Sequence, residues 1–175
     1  MKQVFESARI RYVEVSPELI GDYLVMVNDR ENVGRFIGGP HEPYTEEGEI
    51  AWVSGKLEEK APVFSMLEKE SGRFIGNVEL MDADGSEAEL GIALTAGMQN
   101  KGFGTEAVRA VTEYGMDRLG LERIRLRTRP YNPRAIHVYE KCGFREYDRS
   151  EDHIFMEIFR SDAAELRGDT AAGSI

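Results

Sequence analysis

The sequence predicts a mixed α/β domain, in which about four helices pack on a mostly antiparallel sheet of about seven strands. Three observations lead to this fold class. Seven short segments have the composition or alternation of strands, and four others repeat apolar residues at helical spacing. These segments follow the order β-α-α-β-β-β-α-β-α-β-β. The chain has 175 residues, of which 41% are hydrophobic, and is therefore long enough to bury one core.

The first half of the chain is predicted to contain one strand, two helices and then three strands. Residues 8–15 have the β-branched and aromatic content of a strand. Ser16 and Pro17 are suited to open one helix, and Thr45 is suited to cap the next. A loop rich in Gly and Pro, residues 34–44, separates the two helices. The expected core positions are Ile20, Tyr23, Leu24 and Val27 in the first helix and Ile50, Val53 and Leu57 in the second. The strands that follow are residues 62–68, 73–81 and 87–95, with a hairpin turn at residues 82–85.

The second half is predicted to begin with a helix over residues 103–119, which buries Val108, Val111 and Leu119. Residues 122–129 alternate strictly, as a strand with one apolar face does. The remaining predicted elements are a short helix at 134–142, ended by Gly143, and a hairpin of strands at 143–149 and 152–160. The apolar pattern stops after residue 160, so we expect one domain over residues 1–160 and a flexible tail over 161–175.

Composition argues against several classes of protein. No apolar run approaches the ~20 residues of a membrane span, and the first ten residues lack the apolar segment of a secretion signal. A single cysteine cannot form an internal disulfide. The 32 acidic and 22 basic side chains give a net charge of −10, which disfavours non-specific binding to nucleic acid. We therefore expect a cytoplasmic protein that binds neither membrane nor nucleic acid.

The charges are unevenly distributed along the chain. Residues 77–100 contain five acidic side chains and no Lys or Arg, whereas residues 101–145 contain ten basic and five acidic side chains. This division suits a site that joins a polyanionic cofactor to a cationic substrate. Two solvated faces would give the same pattern.

The segment with the most specific chemistry is GMQNKGFGTEAVRAV, residues 97–111, which follows a strand and opens a helix. From Gln99 to Thr105 it reads Q-x-x-G-x-G-T. This spacing can present successive backbone N–H groups to a diphosphate at the positive end of the helix. The loop lacks the third glycine and the acidic residue of a dinucleotide fingerprint, and it is not a Walker loop. The alternative is that the glycines only turn the chain.

A second motif, NPRAIHVYEKCGF, covers residues 132–144. Together with QNKGFGT it strongly resembles the GNAT superfamily of acetyl-CoA-dependent N-acetyltransferases. The two motifs resemble the family's Q/R-x-x-G-x-G/A loop and its N-x-x-A-x-x-x-Y-E-K-x-G-F signature, and one helix and one strand separate them as in the family. The likeness extends over about residues 8–160, and RFIGGPHEPYT is similar to the branch of ribosomal-protein and spermidine acetyltransferases. Ala96 stands where many relatives carry proline.

The resemblance implies a binding mode for acetyl-CoA. The strand before the loop is expected to be bulged and to splay from the next strand. The pantetheine arm would lie in that gap, and the loop N–H groups would hold the diphosphate. Asn132 is expected to contact the cofactor, although a helix N-cap would look the same in sequence. The implied cofactor-binding residues are Ile92, Ala93, Leu94, Gln99, Asn100, Lys101, Gly102, Phe103, Gly104, Thr105, Asn132 and Tyr139.

The resemblance also implies two chemical roles. Glu89 matches the position of a general base, and because an ordinary Glu has a pKa of ~4.3, burial or a water relay would have to assist it. If the hairpin turns about Asp84, Glu79 lies directly opposite Glu89, and the two carboxylates would bind the substrate ammonium. An acidic solvent face is the alternative for Glu79. Tyr139 matches the proton donor to the departing thiolate, although it also suits a core position on the apolar stripe of its helix.

The sequence therefore predicts an N-acetyltransferase that transfers the acetyl group of acetyl-CoA to a primary amine by direct attack in a ternary complex. The amine is a protein N-terminus or a polyamine or similar small cation. A non-catalytic acyl-CoA-binding or sensing module on the same fold is the alternative. His41 and His137 lack companions at metal-ligand spacing, so no metal site is expected. Exposed strand edges would permit a homodimer.

Overall fold

The computed structural model describes residues 1–37 and 42–172, and its centre is one eight-stranded sheet. The strands are β1 (Gln3–Glu6), β2 (Ile10–Glu14), β3 (Val63–Glu68), β4 (Phe74–Asp84), β5 (Glu87–Leu94), β6 (Arg123–Thr128), β7 (Arg145–Arg149) and β8 (Ile154–Phe159). The helices are α1 (Ile20–Val27), α2 (Glu46–Glu58), α3 (Phe103–Arg118), α4 (Pro133–Lys141) and α5 (Arg160–Ala172). A π-helical turn, Arg30–Gly34, follows α1, and short 3-10 turns occupy Pro17–Leu19 and Ala96–Met98.

The strands lie in the order β1-β2-β3-β4-β5-β6-β8-β7. Neighbouring strands are antiparallel at every described pair except β5 and β6, which are parallel. A parallel pair needs a long crossover connection, and α3 provides it. The predicted mixed, mostly antiparallel sheet is confirmed, with eight strands where about seven were expected.

Helices cover both faces of the sheet. Successive strand residues point to opposite faces, so β2 contributes Tyr12 to one core and Val13 to the other. The core on the first face joins the sheet to α3 and α4 through residues such as Val108 and Val111. The core on the second face joins it to α1 and α2 through residues such as Tyr23.

Capping residues determine where the helices begin. The Ser16 hydroxyl accepts a hydrogen bond from the Glu18 N–H at 3.3 Å, and the Thr45 hydroxyl accepts one from Gly48 at 3.2 Å. Both caps were predicted from sequence. The described part of the predicted loop over residues 34–44 contains no strand, and α2 begins at Glu46 as Thr45 requires.

The structure differs from the predictions at both ends of the chain. β1 was missed because its side chains are mostly exposed and it pairs with β2 alone, so no apolar alternation marks it. The segment expected to be a flexible tail forms α5 as far as Ala172, with Ala163 buried and Asp162 bound to Arg145 at 2.8 Å. Contacts with the rest of the fold, including an ion pair between Arg160 and Glu122, thus hold a segment whose own apolar pattern is weak. The assignment of one domain to residues 1–160 stays a prediction.

Three apolar positions expected in the core are exposed. Ile50 and Leu57 of α2 are 46% and 41% exposed, whereas Val53 is 1% exposed. Leu119, just beyond α3, is 37% exposed. In α2 the buried face runs through Glu49 and Val53 instead, because the helix is rotated to place Trp52 beside Tyr23.

Across residues 1–37 and 42–172, no helix is both long and apolar enough to cross a bilayer. Within the same residues, His, Cys, Asp and Glu side chains do not gather in threes as a metal site requires. His41 lies outside the described residues.

Candidate active site

β5 and β6 separate halfway along their length. Their last paired position joins Glu89 to Arg125. Beyond it, β5 continues to Leu94 beside β4, and β6 continues to Thr128 beside β8. The structure therefore contains the splay that the family resemblance implied. The ladder between β5 and β4 is regular from Glu89 to Leu94, so the expected bulge is absent from this pairing.

The space between the splayed strands is a cavity of about 400 Å³, which we name the β5–β6 cleft. The start of α3, the π-helical turn and α4 complete its wall. The lining residues are Asn32, Val33, Phe36, Ile37, Ile92, Ala93, Leu94, Gln99, Asn100, Gly102, Gly104, Thr105, Val108, Asn132, Arg134, Ala135, His137, Val138 and Tyr139. Every predicted cofactor-binding residue is among them except Lys101 and Phe103.

The loop between β5 and α3 has unpaired backbone donors. Asn100 and Gly102 both adopt left-handed conformations, with φ of 59° and 81°, and no side chain caps α3. No described residue offers an acceptor to the backbone N–H groups from Asn100 through Thr105. These donors lie at the positive end of a 16-residue helix, which is an arrangement that suits a diphosphate.

Gly104 leaves room beside these donors. A Cβ at this position would meet no atom within 4 Å, although the residue lines the cleft. A Cβ at Gly102 would lie 3.2 Å from the Arg9 guanidinium, and the positive φ there disfavours any other residue. The glycines therefore both turn the chain and expose its backbone, so the two interpretations of the motif are compatible.

A clamp from the β1–β2 turn holds the loop from behind. The Arg9 guanidinium donates to the Lys101 carbonyl at 3.0 Å, stacks 4.4 Å from the centre of the Phe103 ring, and donates to Glu106 at 2.8 Å. Glu106 also accepts from the Ser7 hydroxyl and the Arg9 N–H. Burial opposes ionisation of Glu106, but these hydrogen bonds outweigh it and lower its pKa. Phe103 is thus a core residue and Lys101 contributes its carbonyl, which is why neither lines the cleft.

Gln99 and Asn132 use their side chains to build the wall of the cleft. The Gln99 amide donates to the carbonyls of Leu94, at 3.0 Å, and Asn32, at 3.2 Å. It thereby ties the loop to the end of β5 and to the π-helical turn. The Asn132 side chain accepts from the Ala135 N–H at 3.3 Å and caps α4, so the N-cap interpretation is confirmed for it.

Tyr139 lies on the buried side of α4 and is 8% exposed. Burial raises the pKa of its hydroxyl to about 12, with a smaller contribution from Cys142. No described residue forms a hydrogen bond with this hydroxyl, although the ring packs 6.2 Å from Phe144. Tyr139 is therefore a core residue that keeps an unused donor at the cleft.

A second cavity, of about 710 Å³, adjoins the first, and we name it the α2 cavity. Helix α2 lines it with Glu49 and Trp52, and β4, β5 and β6 supply polar side chains. The residues common to both cavities are Phe36, Ile37, Ile92, Ala93, Asn132 and Tyr139. The two cavities therefore meet where β5 leaves β6, beside Tyr139.

Glu79 and Glu89 both line the α2 cavity, but they do not face each other directly. The β4–β5 ladder pairs Glu79 with Gly91 and Met81 with Glu89. The predicted pairing is wrong because the chain turns between Asp84 and Glu87 rather than about Asp84, so the partner of Glu79 lies two positions beyond Glu89 even after the register shift between Met81 and Asp84. A displacement of two residues leaves Glu79 and Glu89 on the same face of the sheet, where they are diagonal neighbours.

Each of these carboxylates has a cationic partner. Glu79 lies 3.1 Å from the Lys56 ammonium, and Glu89 lies 3.1 Å from Nε of Arg127. The Glu89 side chain is 27% exposed. The predicted base thus borders the α2 cavity, and it reaches solvent through which a water relay could act.

Glu49 is a residue of this region that the sequence interpretation missed. It is 6% exposed and lines the α2 cavity. Burial raises the pKa of its carboxyl group. The available signal was its position four residues before Val53, which puts an acidic side chain on the buried face of α2.

The fold and the loop geometry agree with comparisons to known proteins. The sequence model of the acetyltransferase (GNAT) domain family matches residues 9–145. The chain belongs to the GNAT family. The predicted acetyl-CoA-dependent N-acyltransferase is therefore confirmed at the level of this family, and GNAT proteins use acetyl-CoA.

Individual GNAT proteins extend the comparison. The chain is 29% identical over 134 residues to a spermidine N(1)-acetyltransferase of Vibrio cholerae, which covers 75% of this chain and 74% of the relative. A crystal structure of spermidine N-acetyltransferase from Vibrio cholerae in complex with CoA and spermine has a TM-score of 0.78 and 22% identity, over 90% of this chain and 99% of that one. A Vibrio cholerae protein described as a ribosomal-protein-serine acetyltransferase has a TM-score of 0.74 and 15% identity, over 91% and 99%. These likenesses confirm the predicted GNAT-like fold and branch.

Proposed function

We propose that this GNAT protein transfers the acetyl group of acetyl-CoA to a primary amine of a small cationic molecule, by direct attack in a ternary complex. The observation that carries the proposal is the meeting of two cavities at Tyr139. One of them is lined by a loop with unpaired N–H donors, and the other has carboxylates in its wall. An anionic acyl donor and a cationic acceptor can therefore approach the same point from different sides.

The residues of the β5–β6 cleft suit acetyl-CoA. The backbone from Asn100 to Thr105 would bind the diphosphate, because its N–H groups have no acceptor among the described residues. The pantetheine arm would run between β5 and β6, where β5 has no strand partner on this side beyond Glu89 and the backbone of Ile92 can hydrogen-bond its amides. Asn132 would stay an N-cap and contact the cofactor through van der Waals packing.

The chemistry requires a neutral amine and a stabilised thiolate. An alkyl ammonium has a pKa of about 10, so a base must accept its proton. We assign this task to Glu89 acting through water, since Arg127 already contacts one carboxylate oxygen directly. Glu79 would attract the ammonium before it reacts. Tyr139 would donate its hydrogen bond to the sulfur as coenzyme A leaves.

The names of the relatives favour a polyamine over a protein N-terminus as the acceptor. One Vibrio cholerae relative is named as a spermidine N(1)-acetyltransferase, and a crystal structure of a spermidine N-acetyltransferase from the same organism is a complex with CoA and spermine. The α2 cavity, of about 710 Å³, is large enough for such a flexible amine.

The test is release of free thiol from acetyl-CoA in the presence of spermidine, an alkyl diamine, an N-terminal peptide or no acceptor. We expect release that depends on the amine and is highest with the small cationic amines. Coenzyme A binding without amine-dependent release would refute catalysis and support the binding-module alternative. Preference for the peptide would move the acceptor to the protein N-terminus.

A further inference from the structure

Glu49 places a carboxyl group in the wall of the α2 cavity with little access to water. Its side chain lies on the inner face of α2, where Val53, one turn later, is 1% exposed. Glu49 itself is 6% exposed. Trp52 lines the same wall and presents an aromatic surface to the cavity.

This carboxyl group has no partner among the residues that the structure describes. Within residues 1–37 and 42–172, no cation and no hydrogen-bond donor contacts the Glu49 side chain. Burial raises the pKa of this carboxyl group, since a less polar surrounding disfavours the charged form. Because Glu49 lines the α2 cavity, a cationic ligand in that cavity is available to offset its charge.

The other charged side chains of the cavity are already engaged. Lys56 binds Glu79, and Arg127 binds Glu89. Arg129 donates to the carbonyl of Asp152, and His153 packs near the Phe155 ring. Among the described acidic residues that line this cavity, Glu49 is the one that a ligand could pair with first.

We propose that Glu49 binds a second cationic group of the acceptor, so that the protein selects diamines and polyamines over simple monoamines. This inference rests on the proposed acetyl transfer and specifies its substrate class. The reacting amine must be neutral at Tyr139, whereas the far end of a diamine stays protonated at neutral pH. That ammonium supplies the partner that Glu49 lacks, and Trp52 can add a cation–π contact.

The test compares α,ω-diaminoalkanes with n-alkylamines of the same chain length, which share the reacting end and differ in the second charge. The wild-type protein should prefer the diamine. Glu49→Gln keeps the side-chain shape and removes the charge, and it should lower kcat/KM for the diamines about tenfold or more. In this variant, kcat/KM for the alkylamines and the KM for acetyl-CoA should stay within about twofold of the wild-type values. Glu46 is exposed on the same helix, so Glu46→Gln should change neither kcat/KM for the diamines nor kcat/KM for the alkylamines.

Folding and binding measurements distinguish a ligand-binding role of Glu49 from a structural role. The unfolding temperature of Glu49→Gln should equal or exceed that of the wild type, whereas a structural role would lower it. Equal losses for diamines and alkylamines, or a wild-type protein without preference for diamines, would overturn the inference and leave acetyl transfer intact. If no amine supports turnover, the proposed function fails. Calorimetry then measures whether a diamine binds to the coenzyme A complexes of the wild type and of Glu49→Gln, which tests the Glu49 site by itself. Binding that is lost in Glu49→Gln supports the site, and unchanged binding overturns it.

Discussion

At the scale of single residues, we expect the Tyr139 side chain to have two roles, packing in the core and donating a hydrogen bond during the reaction. Its burial raises the pKa to about 12. With a thiol pKa of about 8.5, complete proton transfer from this hydroxyl to a thiolate is uphill by about 5 kcal/mol. We therefore expect Tyr139 to stabilise the departing sulfur mainly by donating a hydrogen bond. The low polarity that raises the pKa also strengthens such a bond.

Removing this hydroxyl should slow the chemical step. Tyr139→Phe should lower kcat about 10²-fold, with little change in the affinity for acetyl-CoA, because the lost hydrogen bond forms as charge develops on sulfur. Steady-state kinetics and calorimetry measure the two quantities. Since the hydroxyl stays protonated until the pH approaches about 12, kcat of the wild type should show no basic limb from Tyr139.

Tyr147→Phe is the matched control, because Tyr147 is 43% exposed on β7 and outside both cavities. If kcat of Tyr139→Phe at saturating amine equals that of the wild type, the hydroxyl has no role in the chemical step and Tyr139 serves only in packing.

At the scale of elements, the loop before α3 depends on contacts from a distant turn. Arg9 and Glu106 brace the loop from behind, while its N–H groups stay free on the other side. The lowered pKa of Glu106 means that this brace contributes stability above the ordinary Glu pKa of ~4.3 and loses it as the pH falls through the lowered value. A loop held in this way needs little further ordering when an anion binds.

A side chain at Gly104 should block this anion site. The space beside Gly104 is empty, so Gly104→Val should fold but occupy the approach to the N–H groups and raise the Kd for coenzyme A at least about tenfold. Gly97→Val is the control, because a Cβ there also meets nothing within 4 Å and the residue does not line the cleft. Calorimetry with coenzyme A measures both variants. Equal affinities in the folded proteins would remove the loop from the binding site.

At the scale of the whole molecule, one parallel strand pair creates the site. The pairing of β5 with β6 stops at Glu89, while β4 and β8 hold the outer sides of these strands. The cleft is thus an opening between two supported strands, and ligands can enter from two cavities. Cytoplasmic location and homodimer formation stay predictions. β7 forms an edge of the sheet with every residue exposed, as a pairing edge would require.

A ligand that fills the opening between β5 and β6 should raise the unfolding temperature of the protein. Coenzyme A at about 100 times its Kd should add about 2.7 kcal/mol of stability and raise the unfolding temperature by on the order of 5 to 10 °C. ATP, which has phosphates but no pantetheine arm, should produce a much smaller shift. Thermal unfolding with each ligand measures the difference. Equal shifts would indicate a general nucleotide-phosphate site.

Local patterns predicted most of the elements and most of the cofactor site. The helix caps at Ser16 and Thr45 were identified because capping depends on residues next to each other in sequence. The cofactor loop was identified because Gln99 to Thr105 form one continuous motif. Glu49 was missed, since its burial depends on how α2 rotates against the sheet. The pairing of Glu79 was wrong because the hairpin turns between Asp84 and Glu87, and residue types alone did not place that turn.

The amino-acid sequence by itself determined the elements, the loop glycines, the capping residues and the placement of Tyr139 on the buried stripe of α4. These features follow from backbone preference and from the periods of helices and strands, which act over a few residues. Only the tertiary structure decided the Arg9–Glu106 clamp, the register of Glu79 and Glu89, and the unpaired carboxyl group of Glu49. Those features arise when segments far apart in sequence exclude water from one another, and no local pattern encodes which charges meet there.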